Sequence, residues 1–316
     1  MTTSRPSPPK GGFSARRLIS IDDLSDSDIA HLLDLTKYYA GFLTRSEPAP
    51  ARLVGKTQIN LFFEDSTRTN LSFDLAGKKL GADVVNVPVN ASSVHKGESL
   101  VDTAQTLAAM GADVMIVRAK EPGLHQTLDQ LLSCAIINGG DGMNEHPTQA
   151  LLDAATIHSS FGALEGLTIA ICGDVKHSRV AGSDARLFSR LGAQVQFVGP
   201  QNLMPDGDQL PNIARHDNLR EGLDGADIVM GLRMQFERME TGGREAAQGY
   251  FEEFGLTHET LKLAKPGAKV MHPGPMNRGV EIDGALADDK DRSLILRQVF
   301  YGVAARMAAL DALLTS

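Results

Sequence analysis

Four consecutive side chains that can hold an anion follow an apolar run early in the chain. Residues 62–69 read "FFEDSTRT", and Ser66, Thr67, Arg68 and Thr69 all carry hydrogen-bond donors at the start of a predicted helix. The N–H groups of a first helical turn lack intrahelical partners and carry the positive end of the dipole, so backbone, hydroxyls and guanidinium together could hold a phosphate. The alternative is that Ser66 or Thr67 only caps the helix while Arg68 is solvated.

Other cations and neutral donors also follow apolar runs. In open parallel α/β sheets, ligands bind beyond the carboxyl ends of the strands. We therefore expect these side chains to gather at one edge of a sheet, with Asp65 and Asp174 as the nearest carboxylates in sequence. The donors in these positions are Arg118, His146, Arg179, Arg233, Gln235 and Arg278.

His146 precedes a predicted helix that has Pro147 in its first turn, where a missing N–H costs nothing. The positive end of a helix favours a neutral ring, which could donate to a carbonyl oxygen. A capping or core histidine is the alternative, and we expect His177 to be structural. Ser92 and Lys96 lie in the polar loop "ASSVHKGES", where a lysine is usually only a surface charge.

Arg179, Arg233 and Gln235 lie in the second half of the chain. Two guanidinium groups and an amide suit a ligand with two carboxylates, because each guanidinium can hold a carboxylate through two hydrogen bonds. The alternatives are solvated arginines or ion pairs with Asp174 or Glu237. A substrate amine that bears two acid groups would fit this set.

Composition excludes several classes of function. The 316 residues carry a net charge of −8, which argues against non-specific nucleic-acid binding. No apolar run approaches the roughly 18 residues of a membrane span. Cys134 and Cys172 lie inside apolar runs and are expected to be buried thiols, and no metal-binding motif occurs. The N-terminal segment lacks the apolar stretch of a secretory signal, so we expect a mobile tail and a cytoplasmic protein without a membrane partner.

Apolar runs alternate with helical patterns, which predicts an α/β fold of two doubly wound domains, each a parallel sheet flanked by helices. We expect a first domain at 1–148, a second at 149–292, and a helix within 293–316 that packs back on the first domain. Residues 238–255 show no clear period and are interpreted as a mobile lid. The predicted strands lie in "TQINLFF", "ADVVNV", "ADVMIVR", "CAIING", "LTIAICGD", "AQVQFVGP", "ADIVMGLR" and "AKVMHPG".

These motifs together resemble the aspartate carbamoyltransferases. The resemblance spans roughly residues 55–306 and keeps the order of the family's motifs. Ornithine carbamoyltransferases resemble the first half but carry an HCLP motif where this chain reads "HPGP" at 272–275. The matching segments are "FFEDSTRTNLSFDLAGKKLGADVVN", "SSVHKGESLVDT", "VRAKEPG", "DGMNEHPTQALLD", "GDVKHSRVAGS", "GLRMQFER" and "MHPGPMNRGVEI".

The resemblance implies transfer of a carbamoyl group from carbamoyl phosphate to L-aspartate in pyrimidine biosynthesis, without a metal or cofactor. Carbamoyl phosphate would be held by residues 66–69 and Arg118. Thr69, Arg118 and His146 would contact its carbonyl oxygen. Gln149, with Gly274 and Pro275, would contact its NH₂ group. Arg179, Arg233 and Gln235 would bind the aspartate. Ser92 and Lys96 would reach into the neighbouring subunit's site.

Shared sites imply a homotrimer, and relatives assemble further with regulatory or dihydroorotase-like chains. Two alternatives remain: a carbamoyltransferase for another amine such as ornithine, and a scaffold protein without activity. A nucleotide-dependent dehydrogenase is disfavoured because "GDVKHSRVAG" lacks the GxGxxG turn.

Overall fold

A computed structural model describes residues 7–9, 12–87, 98–205, 210, 213–235 and 244–315. The chain forms two compact units, one of Met1–Ala155 with Phe300–Ser316 and one of Thr156–Val299. Both divisions lie inside helices, α5 (Pro147–Phe161) and α11 (Ile295–Thr315), whereas the expected domain limits were 148 and 292. A sequence marks the ends of a helix through its caps, but not the residue at which the helix passes from one core to the other.

The first unit contains a four-stranded parallel sheet in the order β2-β1-β3-β4. Its helices are α1 (Asp26–Thr44), α2 (Thr67–Leu80), α3 (Leu100–Ala109) and α4 (Leu124–Leu131). Inner strand β3 is buried at nearly every residue, as expected for a parallel sheet covered by helices. The strands are β1 (Thr57–Phe62), β2 (Asp83–Val87), β3 (Val114–Ala119) and β4 (Ala135–Asp141).

The second unit contains a five-stranded parallel sheet in the order β7-β6-β5-β8-β9. Its strands are β5 (Thr168–Cys172), β6 (Gln194–Val198), β7 (Ala214–His216), β8 (Ile228–Gly231) and β9 (Lys269–Met271). Its helices are α6 (Arg179–Arg190), α7 (Leu219–Leu223), α8 (Arg244–Phe254), α9 (His258–Leu261) and α10 (Gly284–Ala287).

The predicted fold class is confirmed, and each of the eight predicted strands is present. Strand β7 was missed because its three residues, Ala214–His216, are mostly exposed at a sheet edge and form no apolar run. The glycines that follow α2, α3 and α6 have φ values of 84°, 97° and 83°. Glycine adopts this left-handed conformation without steric cost, and each one ends its helix just before a strand.

The expectation that residues 238–255 form a loop without regular structure is wrong for their second part. Residues 244–254 form α8, and Tyr250 stacks on Phe254 with ring centroids 5.5 Å apart. Both rings are buried in the core of the second unit, so burial of an i, i+4 aromatic pair stabilises a helix here. Residues 238–243 lie outside the described residues.

The C-terminal part of α11 belongs to the first unit, which confirms the predicted return of this helix. The Tyr39 hydroxyl donates to Asp311 Oδ2 at 2.7 Å, and Arg52 Nε donates to Asp311 Oδ1 at 2.6 Å. Asp311 is only 1% exposed, so these two bonds satisfy a buried carboxylate.

Both cysteines are buried free thiols, as predicted, and burial raises the pKa of each. Among the helices that the structure describes, none is long and apolar enough to cross a bilayer.

We predict that Gly77→Ala lowers the thermal unfolding midpoint. A Cβ at position 77 would collide with the Gln58 amide and lie 2.7 Å from Val84 Cγ2, and overpacking of this kind costs about 1–3 kcal/mol. Gly249→Ala is the matched control, because Gly249 lies in α8 with open space around its Cβ position and should gain helix propensity. An unchanged or higher midpoint for Gly77→Ala would contradict this packing.

Candidate active site

The candidate residues follow the two points at which the strand order reverses. In the first sheet this point lies between β1 and β3, where Phe62 pairs with Arg118. In the second sheet it lies between β5 and β8, where Cys172 pairs with Gly231. Adjacent helices leave the sheet on opposite faces at such points and open a crevice for ligands. Each unit therefore presents its own candidate half-site.

Residues 66–69, which we call the phosphate cage, form the N-terminal turn of α2. Ser66 is the N-cap residue in an extended conformation, and its hydroxyl makes no capping hydrogen bond. The Ser66 side chain therefore does not cap the helix, and its hydroxyl can contact a ligand. Thr69 is 7% exposed, whereas Thr67 and Arg68 are exposed, so the cage has a buried hydroxyl beside accessible donors.

Buried amides hold α2 against the sheet. Gln58 Nε2 on β1 donates to the Phe73 carbonyl at 3.0 Å and to Asn60 Oδ1 at 2.9 Å. Asn60 Nδ2 donates to Asn86 Oδ1, and Asn86 Nδ2 donates to Asp74 Oδ1, each at 2.8 Å. Polar networks of this kind specify one arrangement, because the Gln58 and Asn86 amides would lose their partners on α2 if the helix shifted. The cage is thus held on a rigid support.

Arg118, at the end of β3, is held by two oxygens. Its Nη1 donates to the Gly139 carbonyl at 3.0 Å, and its Nε lies 3.4 Å from Glu64 Oε2. The side chains of Arg118 and Glu64 are only 11% and 9% exposed. Glu64 was not among the predicted residues, although it lies two positions before the cage.

A tight turn places His146 at the start of α5. The Asp141 N–H donates to the Glu145 carbonyl at 3.0 Å, and the Asn144 N–H donates to the Asp141 carbonyl at 2.7 Å. The His146 carbonyl then accepts from the Gln149 N–H at 2.9 Å. His146 is 4% exposed and occupies the positive end of the helix, as the sequence predicted.

A buried carboxylate orients the Gln149 side chain. Gln149 Nε2 lies 3.1 Å and 3.0 Å from the two Asp153 oxygens, so its carbonyl oxygen points away from Asp153 and can accept a hydrogen bond.

Asp153 also acts on the buried Arg306 of α11. Burial lowers the pKa of Arg306 to about 9, and the negative charge of Asp153 opposes that shift. Arg306 therefore keeps its proton at neutral pH. Its guanidinium also lies 5.0 Å from the Phe73 ring centroid.

In the second unit, the loop after β5 contacts the loop after β8. Asp174, which is fully buried, accepts from the His177 N–H at 3.2 Å and from His177 Nδ1 at 2.8 Å. The His177 carbonyl accepts from Gln235 Nε2 at 2.9 Å. The predicted structural role of His177 fits these contacts. They bring Gln235 beside the loop that carries Arg179, the first residue of α6.

The "HPGP" loop follows β9. Gly274 has a φ of 67°, and its peptide bond to Pro275 is cis. The Gly274 N–H donates to His272 Nδ1 at 2.9 Å, and the His272 N–H donates to Gln298 Oε1 at 2.8 Å. These bonds fix the loop whose backbone was expected to contact a ligand.

The structure divides the predicted site residues by unit. The first unit holds the phosphate cage with Arg118, His146 and Gln149, and the second holds Arg179, Arg233, Gln235, Gly274 and Pro275. Ser92 and Lys96 lie outside the described residues. Arg278 was expected beside the other cations, but it is exposed and binds both oxygens of Asp288 at 2.7 Å. The described residues contain no cluster of three His, Cys, Asp or Glu side chains suited to a metal.

Sequence reasoning missed three residues that support the first half-site. Glu64 pairs with Arg118, while Asp153 and Arg306 lie behind Gln149. A signal existed for Asp153, because it lies four positions after Gln149 on one helix face. The sequence contains no comparable local signal for Arg306, which comes from the distant α11.

Two parallel sheets, with hydroxyls and arginines after one strand-order reversal and arginines with an amide after the other, define a two-domain α/β protein whose side chains suit small anionic ligands. The family models for the aspartate/ornithine carbamoyltransferase carbamoyl-P binding domain and Asp/Orn binding domain match residues 16–159 and 165–313. This chain belongs to the aspartate/ornithine carbamoyltransferase family.

Bacterial relatives match over nearly the whole chain. An aspartate carbamoyltransferase catalytic subunit from Paracoccus denitrificans is 52% identical over 301 residues, which covers 95% of this chain and 94% of the relative. One from Acidiphilium cryptum is 54% identical over 299 residues, with 94% and 96% covered.

Solved structures of the Trypanosoma cruzi aspartate transcarbamoylase share the fold. The complex with carbamoyl aspartate and phosphate has a TM-score of 0.88 and 34% identity, covering 97% of this chain and 98% of that one. The complex with carbamoyl phosphate has a TM-score of 0.87 and 32% identity, covering 96% and 97%.

We predict that Asp153→Asn lowers the stability of the first unit, because it removes the negative charge that opposes the cost of burying the Arg306 guanidinium. Adding Arg306→Met should recover much of this loss, since it removes that buried charge. Urea unfolding of the parent, both single variants and the double variant measures the coupling. Purely additive effects would show that the two residues do not interact.

Proposed function

We propose that the chain transfers the carbamoyl group of carbamoyl phosphate to the α-amino group of L-aspartate, giving N-carbamoyl-L-aspartate and phosphate. The observation that carries this proposal is the presence of two groups of anion-binding side chains, one in each unit. A helix N-terminus with hydroxyls and an arginine lies at one strand-order reversal, and two arginines with an amide follow the other. The relatives described above are named for this activity, and the related structures hold its substrate and products.

The first unit would bind carbamoyl phosphate. The phosphate would lie in the cage of residues 66–69, where the first N–H groups of α2 point at an anion. Arg118 follows the neighbouring strand and would contact the same ligand. The orientation that Asp153 imposes on Gln149 leaves its carbonyl oxygen to accept from the carbamoyl NH₂.

The amine would attack the carbonyl carbon, a C–N bond would form, and the C–O bond to phosphate would break with release of phosphate. Negative charge builds on the carbonyl oxygen in the tetrahedral intermediate. Thr69, Arg118 and His146 would stabilise that charge, and the loss of one such donor typically costs about 10²–10³ in rate. The departing phosphate can accept the proton of the amine.

The second unit would bind aspartate. Arg179 and Arg233 would each hold a carboxylate, and each charge-assisted hydrogen bond is worth about 1.5–3 kcal/mol. Gln235 is held beside them by the His177 carbonyl. Residues 272–275 contain no thiol, unlike the HCLP motif of ornithine carbamoyltransferases, which favours aspartate over ornithine as acceptor. Gly274 and Pro275 would contribute backbone carbonyls for the carbamoyl NH₂.

The direct test measures initial rates of carbamoylated product with carbamoyl phosphate and either L-aspartate or L-ornithine. We expect turnover with aspartate alone. Turnover with ornithine would favour the other acceptor, and no turnover with either would favour a scaffold.

Arg68→Ala should nearly abolish turnover, because Arg68 would hold the phosphate group of carbamoyl phosphate. Arg233→Ala should mainly raise the half-saturating aspartate concentration, and an unchanged value would contradict the assignment of Arg233.

A homotrimer with shared active sites is part of the proposal, with Ser92 and Lys96 reaching the neighbouring copy's site. Support comes from an exposed apolar face of α2 in the first unit. Leu71 and Leu75, one turn apart on this helix, are 54% and 45% exposed. A second copy of the chain would cover this face.

Regulatory or dihydroorotase-like chains could extend the assembly. The two free thiols fit a reducing cytoplasm.

We predict that the purified chain has about three times its own mass of 33.8 kDa in light scattering. Leu71→Asp should yield single chains, because it places a charge in the apolar face. The control is Leu296→Asp, since Leu296 is 83% exposed in the second unit and should leave the mass unchanged. A parent of 33.8 kDa in solution would contradict the trimer.

A further inference from the structure

One buried carboxylate in the second unit bonds to two of the loops that carry candidate ligands. Glu281 lies between the "HPGP" loop and α10, and it is 1% exposed. An ionised carboxylate is buried only where hydrogen-bond donors surround it. Two N–H groups, from Met234 and Asn277, donate to Glu281, and His272 Nε2 lies 3.3 Å from it.

The first donor joins Glu281 to the loop after β8. The Met234 N–H donates to Glu281 Oε2 at 3.4 Å, and the Met234 carbonyl accepts from Asn277 Nδ2 at 3.3 Å. The peptide groups on both sides of Met234 are thereby held. Since Met234 lies between Arg233 and Gln235, its position sets where those two side chains begin.

The second donor joins Glu281 to the loop after β9. The Asn277 N–H makes a short hydrogen bond to Glu281 Oε1, and the His272 ring packs beside it with Nε2 3.3 Å from the same oxygen. On its other side, the His272 ring accepts from the Gly274 N–H through Nδ1. The chain of contacts thus runs from Glu281 through His272 to the Gly274 backbone.

We infer that Glu281 is a positioning residue for the transfer reaction, acting on Arg233 and Gln235 through the Met234 peptide and on Gly274 and Pro275 through the Asn277 peptide and the adjacent His272 ring. The inference rests on the proposed function, which assigns aspartate to Arg233 and Gln235 and the carbamoyl NH₂ to the loop at 274–275. One carboxylate would then align the contacts to both substrates within this unit. Glu281 itself does not contact substrate.

The first experiment compares Glu281→Gln with the parent in steady-state kinetics. Glutamine keeps the size of the side chain, but its NH₂ must oppose at least one of the two N–H donors, because Met234 and Asn277 donate to different oxygens. We expect the KM for L-aspartate to rise about ten- to a hundredfold, as for loss of a hydrogen bond to a charged group. The inhibition constant of inorganic phosphate should stay within about twofold, because phosphate would bind in the first unit.

Glu259→Gln is the matched control, because the Glu259 side chain is 80% exposed in the same unit and pairs only with Lys262 among the contacts described. An aspartate KM within about twofold of the parent for Glu281→Gln would overturn the inference. An equal loss of phosphate binding would also overturn it, since that would reveal general unfolding.

His272 offers a second pair of variants if Glu281→Gln does not fold. His272→Gln places an amide nitrogen near the Nε2 position and keeps a polar group beside Glu281, whereas His272→Asn places an oxygen near Nδ1 and keeps the acceptor for the Gly274 N–H. We expect His272→Asn to raise the aspartate KM more than His272→Gln does. The reverse order would contradict a role exerted through Glu281.

Amide hydrogen exchange separates this inference from the proposed function. In Glu281→Gln, peptides that contain Met234 and Asn277 should exchange faster than in the parent, while peptides from β4 should not change. This result does not depend on which amine is carbamoylated. Absence of turnover in the parent would refute the proposed function alone, whereas unchanged exchange at Met234 and Asn277 would refute the positioning role of Glu281.

Discussion

Parallel pairing of neighbouring strands is the constraint on which both half-sites depend. Because β1 and β3 run in the same direction, the cage that follows Phe62 and the Arg118 side chain emerge at one edge of the first sheet. The pairing of β5 with β8 does the same for the loops that carry Arg179 and Arg233. Short strands thus bring together residues that are far apart in the chain.

In each unit, buried carboxylates behind these residues hold specific neighbours. Asp153 holds Gln149, Asp174 holds His177, and Glu281 holds Met234. Buried charge without such partners would cost far more than the hydrogen bonds return. The accessible donors therefore rest on a rigid layer of carboxylates, which suits a site that must stabilise charge without rearranging.

The fold and the donor residues could be predicted because their signals are local. An apolar run followed by Ser66–Thr69 identifies both a strand and the start of a helix, and Gly81 marks the end of that helix. Strand β7 escaped prediction because its residues are exposed, and α8 escaped because its stability comes from burial of Tyr250 and Phe254. Supporting residues such as Arg306 and Glu281 depend on contacts between distant segments, which no local pattern encodes.

The return of α11 to the first unit has a consequence for the order of folding during synthesis. Tyr39 and Asp311 are 272 residues apart in sequence yet share a buried hydrogen bond. Arg306, on the same helix as Asp311, interacts electrostatically with Asp153. N-terminal domains usually fold as they leave the ribosome. Here the second unit is complete in the nascent chain before the first one is, because the first unit waits for the final helix.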